Sequence, residues 1–381
     1  MNKTLAMVLV GGRGTRLERI TLHTAKPAVS FGGKYKLIDF VLSNLTNSGI
    51  QKVGIITQYE PYELMNYIEH GSTWDLDVND GGISFLTPYT TKDGDKWQKG
   101  TAHAIMQHFR YIEHHQPENV LILGGDHIYK MNYNDMITHH QSKNADLTIA
   151  TFTPTEDISR FGVISADEHD FVTSFLEKPK HTTSTTASMG IYVFKTEMLK
   201  KLLAMNVDHN FDFGKDIIPL ALEKGMRVVR YHFEGYFRDV GTVKSLYEEH
   251  MNLLDNPQYL KLHDYKDMPI FTKSSNLPPH HVAKRTLVRN SMISDGCLIY
   301  GQVRHSILSS KVVVKKGAKL EDCIVFSNVK IGENAMIKNA IIMDDSVILA
   351  DTKLLFDEVT VIDNDYLWKL GETNGKTIRS R

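Results

Sequence analysis

Near the start of the chain, Gly11-Gly12-Arg13-Gly14-Thr15-Arg16-Leu17 is followed nine residues later by Lys26-Pro27. Closely spaced glycines let a backbone come near a ligand and turn its N–H groups toward an anion. Arg13, Arg16 and Lys26 add cations at the same place. The segment follows Leu5-Ala6-Met7-Val8-Leu9-Val10, an apolar run of strand length. A strand leading into a Gly-rich, Arg-bearing loop suits a nucleoside triphosphate. The Walker pattern is absent, because no Lys-Ser/Thr follows the glycines, and the dinucleotide pattern lacks its third glycine. A Gly-rich surface turn between strand and helix is the plain alternative.

Two aspartates are candidate metal ligands. Asp126 lies in Gly124-Gly125-Asp126-His127, a motif that follows the apolar run Asn119 to Leu123 at once, and Asp239 lies in the stretch Gly235 to Thr242. Mg²⁺ takes oxygen ligands and is commonly shared between one or two carboxylates and substrate phosphates. Alone, each aspartate reads as a turn or cap residue; beside the Gly11 loop, metal binding is the better reading. His127 reads as a packing or hydrogen-bonding histidine, since no partner sits at ligand spacing. In Phe175-Leu176-Glu177-Lys178-Pro179 a lysine follows a strand and precedes the proline that ends it. It is a mobile point charge suited to a phosphate, with a solvated charge pair as the competing reading. Ala187-Ser188-Met189-Gly190 and Asp212-Phe213-Gly214-Lys215-Asp216 add small polar and charged groups that fit sugar hydroxyls.

The elements that must position these residues change character along the chain. Up to about residue 250, apolar runs alternate with helical patterns such as Ile38 to Asn47 and Ala102 to His114. Val53 to Thr57, Asn119 to Leu123, Asp146 to Thr153 and Gly190 to Phe194 read as buried parallel strands. Such alternation implies a mostly parallel, Rossmann-like α/β sheet with helices on both faces and ligands at the carboxyl ends of its strands. Asn256-Pro257 and the stretch Met268 to Pro279 read as a linker. Beyond it, aliphatic residues recur every six positions: Leu308, Val314, Leu320, Phe326, then, after a slip of one, Ile331, Ile337, Met343 and Leu349. That period predicts a short parallel β-helix, with a β-sandwich as the alternative. The expected division is a catalytic domain over 1–255, a linker over 256–285, a β-helix over 286–365 and a tail over 366–381.

Composition narrows the class. The chain has 381 residues, 41% of them hydrophobic, enough for one large core and a smaller one. A formal net charge of −1 offers no field for nucleic acid or an anionic membrane. Cys297 and Cys323 make neither a disulfide framework nor a zinc site. With no signal-peptide pattern and no long apolar run, the chain reads as a soluble cytoplasmic protein.

Taken together, Gly11 to Leu17 and Ala25-Lys26-Pro27-Ala28-Val29 resemble the signature of nucleotide-sugar pyrophosphorylases. Phe31 to Tyr35, Ile38-Asp39-Phe40, Leu42-Ser43-Asn44, Asn47 to Ile50 and Ile56-Thr57-Gln58-Tyr59 narrow the resemblance to bacterial glucose-1-phosphate adenylyltransferases. Gly125 to Met131, Phe175 to Pro179, Ala187 to Phe194, Asp212 to Pro219 and Asp239 to Thr242 extend it in order along the chain. The resemblance implies transfer of adenylyl from ATP to glucose 1-phosphate with release of pyrophosphate, for glycogen synthesis. It implies Mg²⁺ on Asp126 and Asp239, and a triphosphate held by Arg16 with Gly11, Gly12, Gly14 and Thr15, Lys26 stabilising its charge. Gly162, Glu177, Lys178 and Ser188 would form the glucose 1-phosphate pocket, and Gln58 and Gly100 would meet the adenine. It also implies a left-handed β-helix and a homotetramer, with a non-catalytic regulatory subunit as the alternative role. Gln98 stands where the family carries a substrate-contacting tyrosine. His23, Ser30 and Lys36 replace cationic or histidine positions of its activator site in sugar-bisphosphate-activated members.

Overall fold

The computed structural model describes residues 3–12, 14–88, 90–91, 94–95, 98–205, 212–264, 266–372 and 378–379. Arg13, one of the loop cations named above, lies outside them. The chain divides into two compact units that interleave in sequence. One comprises Met1–Gly12, Phe40–Phe237 and Asp264–Phe271, the other Arg13–Asp39, Arg238–His263 and Thr272–Arg381.

The first unit is built on a nine-stranded sheet. Thr4–Val10 lies between Lys52–Thr57 and Asn119–Gly124, parallel to both, and Gly82–Leu86 adds a further parallel strand beside Lys52–Thr57. The strand expected at Gly190 to Phe194 runs over Ala187–Lys195 and is not parallel: it pairs antiparallel with both Asn119–Gly124 and Leu147–Phe152. Its residues are apolar because both faces are covered, and that burial pattern does not encode strand direction. Leu147–Phe152 pairs in parallel with Val228–His232 beyond it, so the sheet keeps one dominant direction and is mostly parallel as expected. Gly162–Ala166 and Val172–Glu177 form an antiparallel pair at one edge. Leu5, Met7, Ile122, Ile149, Phe194 and Phe213 belong to the core against this sheet.

The parallel strands end together. Leu9 pairs with Gly124 and Val10 with Thr57, so Gly11, Gln58 and Gly125-Asp126 leave the sheet along the same carboxyl edge. Ligands of open α/β sheets bind at that edge. The expected helix at Ala102 to His114 is two, Thr101–Gln107 and Phe109–His115, broken at His108 (φ −100°, ψ 16°).

The second unit carries a parallel β-helix. Val313 pairs with Lys330 and Lys330 with Val347, a repeat of 17 residues per coil; Lys319, Met336 and Lys353 follow the same spacing. Inward residues therefore advance by two steps of six and one of five. Val314, Leu320, Val325, Ile331, Ile337, Ile342 and Ile348 fill the core in that rhythm. The strict six-residue series misplaces three walls. Leu349 is 73% exposed and Ile348 packs inside, Met343 yields to Ile342, and Val325 rather than Phe326 joins the central stack. Corner residues repeat in register with positive φ: Lys311, Asn328 and Asp345, then His305, Asp322 and Asn339. Asn and Asp tolerate this conformation, and Asn328 Nδ2 donates to Asp345 Oδ1 in the next coil at 2.6 Å. The helix Val243–Asp255 packs in the same unit, its Tyr247 hydroxyl donating to the Asp322 carbonyl at 2.9 Å.

Candidate active site

In the first unit, Gly11, Gln58 and Gln98 meet at the carboxyl edge. A Cβ on Gly11 would lie 3.3 Å from Gln58 Cβ and 3.5 Å from Gln98 Oε1, so a small residue keeps this approach open. Gln58 Nε2 donates to the Gln98 carbonyl at 3.3 Å, which ties the two segments together. The Gln98 side-chain nitrogen is buried without a hydrogen-bond partner. Gly100 is the N-cap of Thr101–Gln107 in fully extended backbone (φ 177°, ψ 176°). A Cβ on Gly12 would meet nothing within 4 Å, so of the loop glycines it is the least constrained by space.

Asp126 follows the last residues of its strand, where Gly125 N donates to Leu9 O at 3.1 Å. A Cβ on Gly124 would lie 3.0 Å from His127 Cε1 and 3.3 Å from Asp126 Oδ1, so glycine leaves room for the carboxylate to turn back over the strand end. The His127 ring leans on Phe237 with centroids 5.2 Å apart, as a packing histidine does, yet its Nδ1 is buried without a hydrogen-bond partner. Phe237 ends the Phe40–Phe237 segment of the first unit, and Asp239 follows two residues later in sequence.

Gly162, Glu177 and Ser188 form a second cluster in the same unit. Gly162 pairs with Glu177, and the next residue, Val163, pairs with Ala187 beside Ser188. Glu177 Oε2 lies 3.1 Å from a Cβ position on Gly162 and 2.5 Å from one on Gly214, so the carboxylate sits between two residues that must lack side chains. Lys178, at φ 47°, turns out of the strand, its ammonium 3.5 Å from Glu177 Oε1 and its side chain 63% exposed. Tyr192 joins the group. Burial pushes its hydroxyl well above the ordinary phenol range, while a hydrogen bond with Ser188 pulls the other way. The Asp212 carboxylate caps its own helix, accepting from Gly214 N at 3.0 Å and Lys215 N at 3.1 Å, and from Thr101 Oγ1 at 3.1 Å. It positions Gly214 and Thr101 rather than presenting an open carboxylate. Tyr192 is the residue of this cluster to which the sequence motifs give no role, and Gly214, in a motif read as fitting sugar hydroxyls, meets Glu177 only through the fold.

The second unit gathers Arg16 and Lys26. Gly14, at φ 62°, caps the turn Thr15–Thr21, and Thr21 Oγ1 donates back to its carbonyl at 2.8 Å. A Cβ on Gly14 would lie 3.3 Å from Lys26 Cβ, so this glycine meets both a conformational and a steric need. Lys26 is buried, and its ammonium donates to Asp239 Oδ1 at 2.9 Å. A Cβ on Gly241 would meet Arg16 Nη2 at 3.0 Å and Asp239 Oδ1 at 3.4 Å. Arg16, Lys26 and Asp239 are thus brought together around Gly241. Each of these aspartates, Asp126 in the first unit and Asp239 in the second, offers carboxylate oxygens, donors that suit a hard cation better than a soft one.

Residues 5–256 match the family model described as nucleotidyl transferase, and residues 276–362 match one described as GlmU-like, C-terminal hexapeptide. The chain belongs to the nucleotidyl transferase family. It is 45% identical over 370 residues to proteins named glucose-1-phosphate adenylyltransferase from Bacillus cereus (strain Q1), Bacillus anthracis and Bacillus mycoides (strain KBAB4). Each alignment covers 95% of this chain and 98% of the relative. The family resemblance carried by the motifs therefore holds along nearly the whole chain. Among the described residues, no helix is long and apolar enough to cross a membrane.

Proposed function

We propose that this chain transfers the adenylyl group of ATP to α-D-glucose 1-phosphate, giving ADP-glucose and pyrophosphate for bacterial glycogen synthesis. The observation that carries the reading is the 45% identity to glucose-1-phosphate adenylyltransferases over 95% of the chain. In this account a phosphate oxygen of the sugar phosphate attacks the α-phosphorus of ATP in line. The new P–O bond forms as the bond to the β-phosphate bridging oxygen breaks, and that oxygen leaves with pyrophosphate. No protein nucleophile takes part, so positioning and charge neutralisation supply the rate.

Arg16 and the Gly11, Gly12, Gly14 and Thr15 backbone hold the triphosphate, and Lys26 stabilises the charge that develops on it. Gln58 and Gly100 meet the adenine. Gly162, Glu177, Lys178 and Ser188 take the glucose 1-phosphate, with Glu177 on sugar hydroxyls and Lys178 on the phosphate; Gln98, beside Gly11 and Gln58, stands where the family carries a substrate-contacting tyrosine. A divalent cation, Mg²⁺ in our reading, belongs on Asp126 and Asp239, where it would neutralise phosphate oxygens. The presence of Arg16, Lys26, Asp126, Lys178 and Asp239 together favours a catalytic over a regulatory subunit. We further propose a catalytic domain over 1–255, a linker, a β-helix over 286–365 that serves assembly of a homotetramer, and a cytoplasmic location. Phosphorus NMR of the purified chain alone with ATP, Mg²⁺ and glucose 1-phosphate tests this: ADP-glucose and pyrophosphate should appear in equal amounts. No product from folded protein would overturn the catalytic assignment.

A further inference from the structure

One corner of the β-helix departs from its repeat. Along the ladder that begins at His281–Val282, partners are 17 residues apart at His281 and Leu298 and again at Val313 and Lys330, but 15 apart at Leu298 and Val313. The missing length is in one corner. Five residues separate Val282 from Val288, and four separate Val314 from Lys319, but only Tyr300 and Gly301 separate Ile299 from Gln302. The cut-back middle corner leaves a notch of about 550 Å³ between the two longer ones. Gly301 fixes its depth, because a Cβ there would lie 2.5 Å from Ala318 O and 2.7 Å from Lys315 O.

Each longer corner sets two consecutive cations on the notch, Lys284 and Arg285 on one side and Lys315 and Lys316 on the other. All four residues are exposed, and Glu333 is the single acid in the lining. None of the four cations forms an ion pair among the described residues. Four like charges around one cavity repel each other, and an anion between the walls relieves that repulsion on both sides. Arginine supplies a planar fork for phosphate oxygens and lysine a mobile point charge. Tyr300, 44% exposed at the short corner, adds a ring against which a sugar or base can lie.

We propose that this notch binds a small soluble organic phosphate carrying two or more negative charges. Its volume falls in the range of small-molecule pockets, about 300–1,000 Å³. None of its residues belongs to the substrate-binding set proposed above, so the site stands or falls independently of that reading.

Calorimetric titration of the full-length chain with inorganic tripolyphosphate, in EDTA at about 0.15 M ionic strength, tests the proposal. A saturable component is expected. Lys315→Ala/Lys316→Ala should weaken it about tenfold or more, and so should Lys284→Ala/Arg285→Ala on the opposite wall. Lys330→Ala/Lys353→Ala removes the same charge from exposed positions outside the notch and should change it by less than about twofold. Arg16→Ala, which acts on the triphosphate position of the proposed active site, should leave this component in place. Circular dichroism melts confirm that each variant is folded, and the two walls give independent readings should one pair disturb its corner. Absence of a saturable component in the wild type would overturn the proposal. Wild-type affinity in both notch variants, or a loss in the control pair as large as theirs, would do the same.

Discussion

Replacing Gly214 by alanine moves one carboxylate without touching it covalently. The new Cβ would lie 2.5 Å from Glu177 Oε2 and 3.0 Å from its Cδ, against an ordinary contact of at least 3.4 Å. The carboxylate must retreat by about 1 Å from the place it holds between Gly162 and Gly214. The far end of a glutamate is flexible, and alanine is favoured over glycine in helical backbone by about 1 kcal/mol, so global stability should change by less than about 1 kcal/mol. Binding should change more. If Glu177 holds the sugar through one charge-assisted hydrogen bond, its displacement removes about 1.5–3 kcal/mol, an increase in KM for glucose 1-phosphate of about 10- to 150-fold. The KM for ATP should stay within about threefold, because Glu177 has no part in the proposed triphosphate set. Initial rates in the pyrophosphate-release direction, with each substrate varied in turn, give both constants. A folded Gly214→Ala enzyme with unchanged KM for glucose 1-phosphate would refute the placement of Glu177 on the sugar.

Lys26→Met keeps the buried stem but removes the ammonium that lies 2.9 Å from Asp239; kcat should fall about 10²- to 10³-fold, and a loss below about threefold would contradict its role at the phosphates. Gln98→Tyr removes a buried, unpartnered amide nitrogen and restores the family's residue; one substrate KM should fall by about twofold or more, and unchanged values for both would make the position neutral. His140 and His250 are buried, and burial lowers each to a pKa of about 4. Because the unfolded chain takes up these protons near pH 6.5 and the folded chain only near 4, stability is intact above about 6.5 and declines as pH falls toward 4. Each should account for about 2 kcal/mol between pH 6.5 and 5. Urea unfolding of His250→Phe should show a shallower acid slope; the wild-type slope would show that this histidine is not held neutral.

The sequence displayed the strand ends and loops of the site because each needs a particular residue type: glycine where backbone or carboxylate comes close, cations and acids where charge is handled. Gly14 is an example, required by both its φ and the neighbouring Lys26 side chain. It did not display what depends on long-range pairing. The reversed strand Ala187–Lys195 is apolar like its parallel neighbours, and nothing in its own residues reports the direction of the strand beside it. The six-residue rhythm identified a β-helix but placed Leu349 inward, because the five-residue step recurs once in each coil and a single slip in the sequence does not reveal its period. The partnership of Glu177 with Gly214 joins residues far apart in sequence, so their motifs read as separate loops until the fold brought them together.

The central claim, that the chain joins an adenylyl group to glucose 1-phosphate, is tested most directly by comparing nucleoside triphosphates on the purified chain. With Mg²⁺ and saturating glucose 1-phosphate, kcat/KM for ATP should exceed that for UTP, dTTP and GTP by about tenfold or more, with ADP-glucose as the product. A higher kcat/KM for any of the other three would contradict the account.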